Sequence, residues 1–282
     1  MVWVDILRPH EGAEALLRDT LRLGPLTVED CSQPLRMPKM NALPEGGAFI
    51  AAFAVRLDEV DEPRLRAEEV DLVVGPGYLV TVRDGPLGEV EERFRSQILA
   101  AQAWLESPSF SLAHAALDAL VDRHAPVMVR TAAAAEELEE SLDPRDERSS
   151  IAALEALITL RRDLLAFRRL AVAQQEVLRR LGREVPELRE YLSDVADNQR
   201  EAVDMADATR DYVEGATEAY RIRRDERSEV GIRRLTVLAS ILGPLSLLTA
   251  IYATNQISPP RLPRGRPCPC VSRSGETSRR RG

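Results

Sequence analysis

Nineteen consecutive residues without a charge, Leu235 to Ala253 (LTVLASILGPLSLLTAIYA), constrain this chain more than any other feature. At ~1.5 Å per helical residue they reach roughly 28 Å, close to the ~30 Å hydrocarbon core of a bilayer. Arg233 and Arg234 directly precede them, at the end of a long charged segment that reads as helix. The stretch predicts one membrane helix carrying a large water-soluble body.

The charge pattern agrees. Of 282 residues, 30% are charged and 4% aromatic, which suits long solvated helices better than a compact aromatic core. Residues 1–230 carry 29 Lys and Arg against 45 Asp and Glu; residues 231–282 carry nine Arg against one acid, Glu276. An acidic body repels phosphate and argues against nucleic acid as a partner. It attracts cations, although ordinary solubilising charge accounts for the same balance. Cys31 stands alone, and Cys268 and Cys270 fall in the C-terminal tail. That is no disulfide framework, and the body reads as cytosolic. The start, MVWVDILRPHEG, has neither the basic nor the apolar region of a signal peptide. Arginines cluster before the span (Arg221, Arg223, Arg224, Arg227, Arg233, Arg234) more densely than after it (Arg261, Arg264, Arg266). This places the body inside and the tail outside.

Residues 1–85 read as mixed strand and helix. Val2–Ile6, Ala48–Leu57 and Val70–Val74 are strand-like, and Glu11–Leu23 is helical up to Gly24-Pro25. Leu72–Val74, Gly75-Pro76-Gly77 and Tyr78–Val82 read as a hairpin, not a phosphate loop, because no helix follows. Helices are predicted over Leu87–Glu106, over Phe110–Leu142 with Ser109 as N-cap and a kink at Pro126, and over Asp146–Leu181. The third carries a stripe of Ile151, Leu154, Ile158 and Leu165, with Gly182 as its end. A last helix starts at Pro186 and meets no proline until Pro244, a length of ~86 Å. Its seam, Leu188, Tyr191, Val195, Asn198, Ala202, Met205, Thr209, Tyr212, Ala216 and Ala219, has heptad spacing but is small and polar. Such a seam fits a wet axis in a ring of copies and fits packing on its own domain equally well. Residues 259–282, rich in Pro, Gly, Ser and Arg, read as disordered. No phosphate loop or nucleophile elbow is present. His114 and His124, ten residues apart, have the wrong spacing for a helical zinc pair, and His10 is alone. The chain does not read as an enzyme, and no cofactor is expected.

The junction of stalk and span is more specific. Leu235-Thr236, Pro244, Tyr252 and Asn255 match the LT, internal proline, tyrosine and terminal asparagine that begin and close the first membrane helix of the CorA family of divalent-cation channels. Tyr191–Asp197 (YLSDVAD) resembles that family's stalk motif, Phe110–Val127 its middle helices, and Gly75–Val82 the last strand of its cytoplasmic domain. The resemblance covers roughly residues 1–257. It implies an α+β chain with a cytoplasmic αβα domain and helical extension (1–185), a stalk helix (186–234), a transmembrane helix (235–253) and a disordered tail (254–282).

The resemblance further implies a homopentamer in the inner membrane. Magnesium, or another divalent cation, would be both transported and regulatory ion. By position, Asn255 would form an amide ring at the outer mouth and Ser246 a hydroxyl ring within the pore. Asp194 on the stalk, with Asp58 after the strand AFIAAFAVRL, would hold a regulatory metal between subunits. On the residues alone, Ser246 equally reads as bonding to its own helix and Asn255 as a C-cap. Two departures stand out. The family's Gly-Met-Asn reads Ala253-Thr254-Asn255 here. Its second membrane helix has no counterpart before residue 282, and the Arg/Pro/Cys tail has the composition of a frame change or truncated gene. Without the outer ring of second helices, the expectation is that this chain alone conducts poorly. A membrane-anchored, non-conducting assembly or regulatory fragment is the alternative.

Overall fold

The computed structural model describes residues 1–8, 11–44, 46–59, 62–85, 92, 95–96, 108–143 and 146–255. The helix predicted over 87–106, save positions 92, 95 and 96, and the tail beyond 255 lie outside the described residues. The chain divides into two compact units, Met1–Asp225 and Glu226–Gly282.

The first unit is built on one sheet. Strands β1 (Val2–Leu7), β2 (Lys39–Leu43), β3 (Gly47–Asp58), β4 (Arg64–Gly75) and β5 (Tyr78–Arg83) lie in the order β1-β5-β4-β3-β2. β1 runs parallel to β5, and the other neighbours are antiparallel. The Gly75–Tyr78 hairpin forms as expected, with Gly77 at φ 83°, a conformation that favours glycine. Gly47 serves a different purpose, because a Cβ there would fall on the Val74 carbonyl of the neighbouring strand. β4 is longer than the expected Val70–Val74. It pairs with β3 from Ala48↔Val74 to Asp58↔Arg64, and this pairing holds the charged segment RLRAEE extended.

Both faces of the sheet are covered, which explains the unbroken apolar run of β3. One face, with Ile50, Ala52, Leu72, Val74 and Leu79, packs against three helices. These are α3 (Pro108–Val121), the last turns of α5 (Glu147–Glu184) and the first turns of α6 (Arg189–Asn255). The other face, with Phe49, Ala51, Val73, Val80 and Val82, packs against Leu17, Val28 and Cys31. Leu17 lies in the π-helical turn Leu16–Thr20 that extends α1 (Glu11–Ala15), and Val28 and Cys31 lie on α2 (Pro25–Ser32). A third core joins α4 (His124–Glu140), α5 and α6 through Met128, Leu157, Leu160, Leu164, Val203 and Val213. The fold is α+β with αβα layering and a helical extension.

Four helical expectations are corrected. Phe110–Leu142 is two helices, broken at Asp122-Arg123. Pro126 cannot donate to the Asp122 carbonyl and would press on it in a continuous helix, so it separates α3 from α4 instead of kinking one rod. Ser109 lies inside α3, and its hydroxyl accepts the Gly77 N–H at 3.0 Å, which pins the hairpin turn to the helix. Gly182 does not end α5. The Val185 N–H still closes on Leu181 O at 2.8 Å, and the break comes at Val185, φ −124° and ψ 83°, because a residue before proline is excluded from helical geometry. The α5 stripe was also misplaced. Ile151 and Ile158 are 47% and 39% exposed, while Ala153, Leu157, Leu160, Leu164 and Phe167 are buried. Asp146, expected as the first residue of this helix, is its cap, accepting the Ser149 N–H at 3.2 Å.

Candidate ion pathway and metal-sensing residues

α6 begins after the turn Pro186–Leu188 and runs unbroken through 67 residues to Asn255. Its seam splits into two sets. Leu188, Val195, Ala202, Thr209 and Ala216 are buried against the protomer's own body, as are Leu192, Val203, Ala206, Val213 and Tyr220. Tyr191 and Tyr212 remain 45% and 40% exposed, and Asn198 and Met205 are half-buried. Packing on its own domain therefore accounts for one set, and the other is left toward solvent. Ion pairs Arg168–Asp207 (3.0 Å) and Arg161–Glu214 (2.8 Å) join α5 to α6. Being exposed, they contribute little.

A buried polar junction fastens α6 to the sheet. His124 is fully enclosed. Its Nδ1 lies 2.8 Å from the Gln199 side-chain amide and its Nε2 3.2 Å from the Phe53 carbonyl. Its ring meets Phe167 edge-on, with centroids 5.4 Å apart. Burial pushes the imidazole down to about 4, against the hydrogen bonds that favour its charged form. The neutral ring donates Nε2–H to Phe53 and takes a hydrogen bond at Nδ1 from the amide NH2 of Gln199 once that amide is turned. This also gives a partner to a Gln199 nitrogen that otherwise lacks one. Sequence reasoning missed the junction. The available signal was Gln199 lying among Val195, Ala196, Ala202 and Val203 on one helical face.

Leu235–Ala253 is helical throughout, 19 residues long and wholly exposed. Its hydroxyls turn inward to the helix. Thr236 donates to Ile232 O at 2.9 Å, Ser240 to Val237 O at 2.8 Å and Thr249 to Ser246 O at 2.9 Å. Ser246 donates to both Leu242 O and Gly243 O at 2.9 Å. Each such oxygen keeps lone pairs for a second partner. Pro244 sits inside the helix and deprives the Ser240 carbonyl of its ordinary donor, freeing one backbone oxygen six residues before Ser246. Asn255 is the last helical residue; its side chain lies outside the description.

Asp58 closes β3 opposite Arg64, and its carboxylate lies 3.7 Å from Arg66 Nε. Asp194 is exposed on α6. Its charge acts on His114, which burial nonetheless shifts downward and whose ring meets Tyr191 edge-on at 5.8 Å. Asp58 lies at the end of a strand and Asp194 on the stalk helix, two separate elements of the body. Among the described residues, no group of three or more His, Cys, Asp or Glu could hold a metal ion within one protomer.

An αβα domain whose last long helix continues into an apolar span has the make-up of a membrane transport protein, not an enzyme. The family described as CorA-like Mg2+ transporter protein matches residues 1–261, and the chain belongs to it. YfjQ of Bacillus subtilis is 27% identical over 261 residues, covering 90% of this chain and 78% of that protein. The cobalt/magnesium transport protein CorA of Thermotoga maritima is 26% identical over 260 residues, covering 90% of this chain and 72% of that one. The complete structure of the CorA magnesium transporter from Methanocaldococcus jannaschii superposes with a TM-score of 0.75 at 18% identity, covering 93% of this chain and 81% of that chain.

Proposed function

We propose that this chain is the subunit of a homopentameric channel for divalent cations, magnesium foremost, in the inner membrane with its N-terminal body in the cytoplasm. The observation that carries this reading is the continuity of α6. One helix holds the buried stripe Leu192–Tyr220, the apolar stretch Leu235–Ala253 and the terminal Asn255, all within the family match. On this reading 1–185 is the sensing body, 186–234 the stalk, 235–253 the pore helix and 254–282 the tail.

Magnesium dehydrates reluctantly. A ring of Asn255 amide oxygens at the mouth suits a hydrated ion, because it exchanges outer-sphere hydrogen bonds without stripping the water. Ser246, whose proton is engaged within its helix, would offer only its oxygen to the lumen. Asp194 and Asp58 would meet across subunits, where a divalent ion bridges carboxylates that otherwise repel.

The test is ion uptake by liposomes holding the purified chain and a magnesium-sensitive dye. Uptake above empty vesicles, reduced by Asn255→Ala, supports the channel. An assembled oligomer that passes no ion would return the non-conducting assembly instead.

A further inference from the structure

Away from the ion pathway, a buried charge cluster lies under the α1–α2 layer. Arg8, just after β1, reaches the far side of β5. Its Nη2 lies 3.0 Å from Glu69 Oε1 and 3.2 Å from Asp71 Oδ2, and its Nε 3.0 Å from Asp84 Oδ1. The side chains of Arg8, Glu69 and Asp71 are 4%, 3% and 0% exposed, whereas Asp84 is 51% exposed. Glu69 and Asp71 are alternate residues of β4 and so project from the same face. Asp71 sits in register between Ala51 and Val82, with no polar side chain at either.

The cluster is short of partners. Both oxygens of Asp71, Glu69 Oε2 and Arg8 Nη1 are buried without a hydrogen bond. The charged and titratable groups around Asp71 are Arg8, Glu69 on its own strand, Asp84 after β5, and Cys31 and Asp30 on α2. Asp30 is already committed to Lys39 at 2.6 Å, and Asp84 is solvated. One guanidinium therefore faces two enclosed carboxylates. Two anions in one dry site do not both stay ionised, and the pair titrates as a unit.

We propose that Arg8, Glu69 and Asp71 form a proton-binding site, in which the two β4 carboxyls keep one proton between them, held on Asp71, while the α1–α2 layer covers them. The proton turns one orphaned oxygen into a donor for its neighbour and leaves a single carboxylate for Arg8. The electrostatics agree. Burial first, and then the Glu69 charge, push Asp71 up to about 8, and burial also raises Glu69, with Arg8 opposing both shifts. Because the folded-state value is raised, the stabilisation is complete below the ordinary carboxylate range and is lost as pH rises through about 8. Above that pH two buried anions remain, and the layer over them consists of short helices of five and eight residues joined by a π-helical turn. This layer is the alkaline-labile part of the body.

The experiment uses the full chain in detergent. Infrared difference spectra between neutral and alkaline pH should show the carbonyl stretch of a protonated carboxylic acid, absent from Asp71→Asn. Hydrogen exchange should show protection of α1–α2 amides, relative to β3, falling about tenfold per pH unit between about pH 5 and about pH 8 in the native chain and levelling off above that, and staying flat in Asp71→Asn. Should Asp71→Asn not fold, Glu69→Gln is the second variant; it leaves one carboxylate for Arg8, so the infrared band should vanish there too. A native chain without the band, a band that persists in Glu69→Gln, or equal protection in native and Asp71→Asn chains at alkaline pH would overturn the proposal.

Discussion

The side-chain amide of Gln199 lies 2.8 Å from Nδ1 of His124, joining α6 to the helix that follows Pro126's break. The cause lies in the sheet. β2 ends its pairing at Lys39↔Ala51, so the outer backbone groups of Phe53 have no strand beside them. Gln174 Oε1 accepts the Phe53 N–H at 2.7 Å, and His124 serves the carbonyl at 3.2 Å. His124→Ala should remove both ring bonds, open a cavity and cost about 3 kcal/mol. Urea unfolding of the native and variant chains checks the value.

The same histidine sets an acid limit. It is neutral when folded and pushed down to about 4, so the unfolded chain takes up a proton first as pH falls. Its contribution is complete above the ordinary histidine range near pH 6.5 and is lost as pH falls from there toward about 4, by at most about 3 kcal/mol. His124→Gln should flatten stability between about pH 6.5 and 4.5. Denaturant midpoints across that interval decide it.

Gly47 is required by contact. A methyl group there meets the Val74 carbonyl, and neither strand can give way without breaking the β3–β4 ladder. Gly47→Ala should destabilise the body by roughly 2 kcal/mol, seen as a lower melting midpoint. Gly24, with nothing near its Cβ position, serves as the control.

Asp163 ties α5 to the start of β4. It accepts from Arg64 Nε at 2.8 Å and from the Leu65 N–H at 3.1 Å. Asp163→Ala should cost about 1–2 kcal/mol, whereas Arg64→Ala should cost less, because the exposed guanidinium returns to water. Chemical unfolding of the two variants gives the ranking.

Asp194 tests the sensing proposal. In the assembled chain, divalent ions should slow proteolysis of the stalk, and Asp194→Asn should remove most of that protection while leaving unfolding in chelator within about 0.5 kcal/mol of native, since the residue is exposed. Protection that survives both this variant and Asp58→Asn would place the sensing metal elsewhere.

Much of the fold was legible in the residues. Pro76-Gly77 marked its hairpin and Leu235–Ala253 its span, because each is decided by local backbone chemistry or by length alone. β2 was not, since KMNAL becomes a strand only through pairing with β3. Nor was the buried face of α5, since the apolar stripe Ile151, Leu154, Ile158 and Leu165 leaves Ile151 and Ile158 exposed. Burial is set by where α4 and α6 lie, and that face holds Leu157 and Leu164. Of the proposed site residues, the geometry fixes helix positions for Ser246, Asp194 and Asn255 and a strand end for Asp58. A ring of copies is what would bring them together.

By itself the sequence determined the order of parts, a charged body, a long helix and an apolar span, since charge, proline placement and run length act locally along the chain. Only the tertiary structure decided which polar groups are enclosed. Arg8, Glu69, Asp71 and His124 look like ordinary solvated residues in the sequence. Sheet register and helix packing remove their water, which shifts Glu69, Asp71 and His124 from their ordinary ranges, and the cost of that removal depends on neighbours far away along the chain.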